Sequence, residues 1–466
     1  MNIINFNSKK ARFISSSIST LLFAIGSTFC LTIGQFSVYI TSYFHYQGID
    51  IDMQYGNFMS PVLIFCLALS IPVSGLLEKK LGMKLTLLIS SVLIEVIFFI
   101  FILQANKILT MILVSLIGMS LGLGVSIPMK NLCHYYPEKK GLVGSCSISC
   151  MTIIAALVSV FGESFINPDA VELQKGDIYY PEDICSNYIQ FYKIALFIIP
   201  ITSLLMIVLI QEYETKYEDE NRLINKENEV ENKDKKKDEN YTKNVKSALL
   251  NKRIWMITCI FSITPFSINF THNTFRVYGA LVSVNGSLIK FSGLFSGLST
   301  LIFGPMWGII SDKISFSVII KTICIFSIIF SLILSIFIQS NLIYIICVFG
   351  SQIITSGFTT ISQPLIMQIY GIDYYLIVGG IMGAIGTIFN IFYPVLSYIV
   401  SRFYKTGEEL RIPYRIIYMV GTGLSVIGFY IGMFEKGEEF VYPAPVMGEI
   451  NKTIENITKN EDEDNI

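Results

Sequence analysis

Long apolar segments recur along this chain, and short polar breaks separate them. A transmembrane helix needs about 20 mostly apolar residues to cross the hydrocarbon core of a bilayer. Segments of that length occur twelve times by our reading, six on each side of a charged central stretch. The predicted spans are about 19–43, 55–77, 84–104, 108–132, 141–163, 188–210, 254–282, 288–311, 317–338, 342–368, 376–400 and 413–434. This pattern predicts an all-α membrane protein with twelve transmembrane helices in two six-helix bundles.

Charged residues concentrate outside these spans. Lys and Arg number 34, Asp and Glu number 35, and about half of them lie within 212–253 or 435–464. Such segments bury too little apolar area to fold alone. We therefore predict a cytosolic N-terminus, a first bundle, a charged cytosolic linker, a second bundle and an acidic disordered tail, with bounds 1–13, 14–210, 211–252, 253–434 and 435–466.

Basic residues in the short loops predict how the bundles are oriented. Loops on one side carry Lys79, Lys140 and Lys321, whereas the loop 165–187 on the other side holds five acids and one lysine. The positive-inside rule then puts both termini and the linker in the cytosol. The predicted location is a cell membrane or an organelle membrane.

Composition and residue spacing exclude several classes of function. With 15% charged residues and a formal net charge of −1, the chain has no basic stripe for nucleic acid. It has no Gly-Lys-Ser/Thr sequence for a nucleotide phosphate. Its histidines are too scattered for metal ligation, and they are His45, His134 and His272. We predict no cofactor, no metal and no enzymatic activity.

A loop signature occurs once in each half, after span two and after span eight. Each copy has a glycine near the end of a helix, followed by an acid beside a base. The residues are Gly75, Glu78, Lys79, Lys80 and Gly82 in the first copy, and Gly308, Asp312 and Lys313 in the second. The signature resembles the major facilitator superfamily motif G-x-x-x-D-[RK]-x-G-[RK]-[RK]. The first copy departs from it at the aspartate position, where Lys79 stands, and the second at the second glycine, where Ser315 stands.

This resemblance covers about residues 14–434 and implies the major facilitator fold and secondary transport. A second segment, Tyr-Tyr-Pro-Glu-Lys-Lys-Gly at 135–141, resembles the monocarboxylate and oxalate–formate antiporter-like branch. That branch usually carries an arginine in span eight, four residues before the motif glycine, and Gly304 stands there instead. An organic anion in a low-dielectric cavity needs a paired positive group, so another residue must supply the charge.

Span seven carries the leading candidates for substrate binding. Asn269, His272, Asn273 and Arg276 follow at i, i+3, i+4 and i+7, so they share one helix face. Ionisable residues inside a membrane are functional hypotheses by default. The alternative is that Arg276 snorkels to the interface and His272 forms a hydrogen bond across the bundle.

Polar residues of other spans extend this set. The superfamily resemblance implies that spans one, four, seven and ten line the cavity, which adds Gln35 and Gln363. Glu95, in the middle of span three, is a candidate for proton coupling, and the alternative is a structural pair. Lys130 closes span four on the basic side, and we expect it to form a gate with Glu138.

These features predict a secondary active transporter that moves a small organic solute by alternating access. A monocarboxylate is the first candidate substrate, and a neutral or zwitterionic metabolite is the second. A non-transporting transceptor of the same fold, and a membrane enzyme or channel, are the rival hypotheses. The expected partners are a small-molecule substrate, a coupled proton and the lipid bilayer, with no nucleic acid and no nucleotide.

Overall fold

The structure is a computed structural model that describes residues 8–51, 53–103, 106–169, 171, 179–213, 249–271, 286–338, 340–372, 375–403 and 407–434. Regular secondary structure within these residues is entirely helical, as the sequence predicts. The α-helices are α1 (Lys9–Leu31), α2 (Ser37–Tyr46), α3 (Met59–Leu81), α4 (Met83–Leu103), α5 (Lys107–Gly124), α6 (Ser126–Tyr135), α7 (Lys140–Ile166), α8 (Glu182–Leu209), α9 (Lys252–Ile263), α10 (Gly286–Lys313), α11 (Phe316–Phe337), α12 (Asn341–Tyr370), α13 (Tyr375–Phe403) and α14 (Gly407–Met433).

The helices follow the predicted spans. Within the described residues, ten helical segments are long and apolar enough to cross a membrane. Spans eight and eleven correspond to α10 and α13, and α13 contains a shorter apolar part, Tyr375–Phe389. The fold is therefore the all-α arrangement that the hydrophobic pattern predicts.

The structure corrects two details of these spans. Span one begins at Lys9 and breaks at a 3₁₀ turn, Thr32–Gly34, before α2 continues it. Span six begins at Glu182, about six residues before the predicted start. The charged and polar residues at the start of each helix lower the local hydropathy, so the apolar pattern places these starts too late.

Among the described residues, a buried core shared by the two halves lies at one end of the molecule. We call this the motif end, because both loop signatures lie there. A single buried cluster at this end includes Ile127 of the first half and Leu365 and Leu376 of the second. At the opposite end, among the described residues, the cluster around Phe36 belongs to the first half, and the cluster around Tyr418 belongs to the second. The halves are therefore joined at the motif end.

Candidate substrate pathway and gate

The second loop signature ties the two halves together. Asp312, at the end of α10, accepts two backbone hydrogen bonds from the start of α7. Gly141 N–H donates to Oδ1 at 2.8 Å, and Leu142 N–H donates to Oδ2 at 2.9 Å. The first N–H groups of a helix lack partners within the helix and carry the positive end of its dipole. Asp312 is therefore a charged N-terminal cap that one half supplies to a helix of the other.

The first loop signature makes a different contact. Glu78 Oε2 lies 2.8 Å from Lys130 Nζ, an ion pair between α3 and α6 within the first half. Lys130, which we expected to form a gate with Glu138, pairs with Glu78 instead. Glu138 lies exposed in the 3₁₀ turn after α6, whereas the end of α3 lies beside α6. Lys79, at the aspartate position of the motif, is also exposed.

The remaining signature residues define the turn and the close contacts. Gly75 approaches α13 so closely that a Cβ atom there would lie 2.9 Å from Leu376 Cβ. Gly82 ends α3 with φ at 81°, a left-handed conformation that favours glycine. Lys80 and Lys313 are exposed basic residues at the motif end.

Apolar side chains close the motif end between the halves. We call five of them the plug, and each is 2% exposed or less. The plug residues are Ile127 and Cys133 of α6, Leu365 of α12, and Tyr375 and Leu376 of α13. Close-packed interiors hold few voids larger than a water molecule. The plug therefore leaves no path for a solute through these residues.

Helices α7 and α10 cross between the halves along a row of small residues. The contacting pairs are Gly308 with Ser145, Gly304 with Ser149, and Gly297 with Ala156. A Cβ atom on any of these glycines would overlap its neighbour. Small residues let two helix backbones approach closely in a membrane. We call this row the glycine seam.

Position 304 of this seam is where the monocarboxylate and oxalate–formate branch usually carries arginine. A Cβ atom there would overlap Ser149 Oγ and lie 3.0 Å from Thr360 Cγ2. Gly304 thus packs between α7 and α12 and leaves no room for an arginine. Close packing explains the substitution, and the charge that would bind an anion must come from another residue.

The structure describes part of the predicted binding set. Gln35 lies exposed at the break in span one, between the 3₁₀ turn and α2. Asn269 is half-buried in the helical stretch 266–271, beyond the turn that follows α9. The predicted residues outside the described set are His272, Asn273, Arg276 and the side chain of Gln363, whose backbone belongs to α12.

Gln352, in the middle of α12, is a polar residue that the sequence prediction left outside the site. Its side chain is 2% exposed, and neither of its amide atoms has a hydrogen-bond partner. Ser356 and Thr359 follow at i+4 and i+7 on the same face, and Thr359 is exposed. An unpaired buried amide costs free energy, so this polar stripe is suited to bind a solute. Sequence shows the glutamine but cannot show that its amide is unpaired.

Glu95 lies within the bundle of the first half. Its Oε2 atom is buried without a hydrogen-bond partner, as is Ser91 Oγ, one turn earlier on α4. Cys30 of α1 is close enough to Glu95 to interact with it electrostatically. The carboxyl group of Glu95 therefore lies beside α1 in the first half.

The charged linker begins with a segment that packs on the first half. The Gln211 carbonyl oxygen accepts hydrogen bonds from Ser16 Oγ at 2.9 Å, Asn131 Nδ2 at 2.8 Å and Tyr135 OH at 3.1 Å. Asn131 Oδ1 in turn accepts a bond from Tyr213 N–H at 3.1 Å. Gln211 is 2% exposed. The polar composition predicts a linker here. It does not predict these contacts, because the hydrogen bonds involve the backbone groups of Gln211 and Tyr213.

Comparison with known families gives a direct match. The family model described as Major Facilitator Superfamily matches residues 24–361 of the chain. No curated protein sequence matches the chain.

Solved structures show the same fold. The human organic anion transporter MFSD10 (TETRAN) superposes with a TM-score of 0.59 at 11% identity, covering 92% of this chain and 100% of that one. The proton:xylose symporter XylE, bound to 6-bromo-6-deoxy-D-glucose, has a TM-score of 0.66 at 12% identity, with coverage of 92% and 96%. At these identities the likeness concerns the fold alone.

Proposed function

Because the chain belongs to the major facilitator superfamily, we propose that it is a secondary active transporter that works by alternating access. The chain is a multi-pass, all-α membrane protein with the fold of that superfamily. In the proposed cycle, one central site between the halves opens to each side in turn. A small organic solute is the cargo.

The Asp312 cap is the observation that carries this proposal. It joins the halves at the plugged motif end by two hydrogen bonds from α7 to one carboxylate. Opening this end must break both bonds and separate the plug, while the glycine seam keeps α7 and α10 in contact. Such a reversible latch is what alternation between two open states requires.

We propose that the motif end faces the cytosol. Lys79, Lys80 and Lys313 are exposed there, which agrees with the positive-inside rule. The closed motif end then corresponds to an outward-facing state.

A monocarboxylate is the first candidate substrate. Resemblance of the 135–141 segment to the carboxylate-transporting branch supports it, but a carboxylate also needs a positive partner. Since Gly304 has no room for arginine, we assign this role to Arg276 and His272. Asn269, Asn273, Gln35 and Gln363 would complete the site with neutral hydrogen-bonding groups.

A neutral or zwitterionic metabolite is the second candidate. The unpaired Gln352 amide favours it, because both the donor and the acceptor of that amide lack a protein partner and a polar solute could supply one. Glu95, whose Oε2 also has no hydrogen-bond partner, is the proposed carrier of a coupled proton.

Reconstitution tests the proposal. Purified protein in liposomes should accelerate uptake of labelled pyruvate or lactate, or of a neutral metabolite from a broad panel, and Asp312→Asn should reduce it. Binding without accelerated exchange would indicate a transceptor instead. If Arg276→Gln leaves carboxylate transport unchanged, the binding role of Arg276 is wrong. If Glu95→Gln leaves the response to a proton gradient unchanged, its coupling role is wrong.

A further inference from the structure

A groove of about 560 Å³ lies at the end opposite the motif end, where the two halves adjoin. Its mouth carries one cation and one anion, Lys107 and Asp50, and its wall is largely apolar. Tyr398 belongs to α13 of the second half, whereas the other lining residues belong to the first half. The lining residues used below are Asp50, Lys107, Ile108, Met111, Ile112 and Tyr398.

The groove faces the outside of the helix bundle. Ile108 and Ile112 are 69% and 50% exposed, and the stripe continues along α5 with Leu116 and Met119. The other face of α5, which includes Val114, is buried in the core of the first half. A membrane-spanning helix whose exposed stripe is wholly apolar presents that stripe to lipid. The groove is therefore reached from the bilayer.

Lys107 contacts the backbone of Asp50 at this groove. Lys107 Nζ donates a hydrogen bond to the Asp50 backbone oxygen at 2.8 Å. An ammonium group has three N–H donors, so two remain for a ligand. The Asp50 side chain is exposed beside it. An apolar groove under a cation and an anion matches a molecule with an apolar chain and a zwitterionic head.

We propose that this groove binds a zwitterionic phospholipid with a primary amine, such as phosphatidylethanolamine. The phosphate accepts hydrogen bonds from Lys107, and the ammonium group binds the Asp50 carboxylate. One acyl chain lies along Ile108, Met111 and Ile112. Because Tyr398 comes from the other half, the bound lipid contacts both halves.

Lipid titration of the full chain in detergent, followed by native mass spectrometry, tests this site. The chain offers a matched control, because Lys107 and Lys252 both open a helix directly after an asparagine N-cap, Asn106 and Asn251. Lys107→Ala should weaken phosphatidylethanolamine binding about tenfold, the loss of one charge-assisted contact, whereas Lys252→Ala should leave it unchanged. Equal binding by the two variants would overturn the proposal and indicate bulk lipid only.

Two further measurements separate the head group from the chain. Ile112→Trp fills the groove and keeps both charges, so it should reduce binding of the same lipid. Phosphatidylglycerol, which has no ammonium group, should bind more weakly than phosphatidylethanolamine, and Asp50→Asn should remove that difference. If phosphatidylglycerol binds as tightly to the unchanged protein, or if Ile112→Trp has no effect, the assignment is wrong. Melting temperatures confirm that each variant is folded.

Discussion

The two loop signatures begin with the same glycine and lie at the same end of the molecule, yet they hold different parts together. In the second, Asp312 crosses from one half to the other and caps α7. In the first, Glu78 pairs with Lys130 inside one half. One residue makes this difference, because Lys79 occupies the position that corresponds to Asp312. The comparison suggests that the charged residues of one copy control opening, whereas those of the other maintain the bundle.

The largest expected effect comes from Gly308, the glycine of the second signature, and Gly75 of the first provides the comparison. In Gly308→Ala, the new Cβ would overlap Ser145 Oγ and lie 2.6 Å from the Gly141 carbonyl oxygen, which is backbone. In Gly75→Ala, the new Cβ would meet only side-chain atoms of Leu376 and Ile377 closer than 3.5 Å. Overpacking of this kind costs about 1–3 kcal/mol. We expect the cost of Gly308→Ala to lie near the upper end of this range and that of Gly75→Ala near the lower end. Melting temperature and transport rate measure both losses.

A third glycine provides the control. Gly383 of α13 has no heavy atom within 4 Å of an added Cβ, so Gly383→Ala should leave both measurements near the parent values. Equal losses in Gly308→Ala and Gly383→Ala would contradict the glycine seam.

The next effect comes from the charge on the cap. Asp312→Asn keeps the shape but loses the charge and one of the two acceptors, which costs about 2 kcal/mol, or roughly 30-fold in the ratio of closed to open motif ends. Distances between spin labels on the two halves at this end measure that ratio. Asp312→Glu should restore part of it. An unchanged distance distribution in Asp312→Asn would show that the cap is not a latch.

Breaking the ion pair of the first half should have a smaller and different effect. Glu78 and Lys130 side chains are 16% and 15% exposed, so Lys130→Gln should cost about 1 kcal/mol, the upper range for a partly exposed pair. We expect a lower melting temperature with an unchanged ratio of closed to open motif ends. A shift in that ratio as large as in Asp312→Asn would make the first signature a second latch.

The smallest expected effect comes from a substitution that makes the two signatures alike. Lys79→Asp puts an acid at the position that corresponds to Asp312, where Gly75 already brings α3 close to the start of α13. An acid near a helix N-terminus is worth about 0.3–1 kcal/mol. The ratio of closed to open motif ends should rise roughly twofold to fivefold in the same spin-label measurement. Lys79→Ala serves as the control. A shift toward the open state would contradict the proposed correspondence.

Sequence predicts the fold well because each span must contain enough apolar residues to cross the bilayer. It also predicts the signatures, since Asp312 and its glycine keep the spacing of the motif. The partner of Asp312 was not predictable, because Gly141 lies 171 residues away and offers a backbone N–H that any residue type except proline carries. For the same reason, sequence assigned Lys130 to the nearer acid, Glu138, and missed Glu78.

The candidate site was harder to predict than the fold. Glutamines and asparagines in spans are visible in the sequence. Whether they can bind a solute depends on whether a neighbouring residue already forms hydrogen bonds with their amide groups. Gln352 is unpaired, whereas both amide atoms of Asn131 form hydrogen bonds, to Gln211 and Tyr213, although both residues are amides in apolar helices. Gly304 shows the same limit, because only the contact with Ser149 explains the absent arginine.

The plug gives the protein a native chemical reporter. Cys133 is fully buried in the plug beside residues of the other half, so a thiol-specific reagent can reach it only after the motif end separates. Its alkylation rate, followed on the peptide that contains it, would therefore measure how often this end opens. A solute that holds the opposite end open should slow that reaction, so the alkylation rate of Cys133 can be used to screen for the cargo without an introduced cysteine.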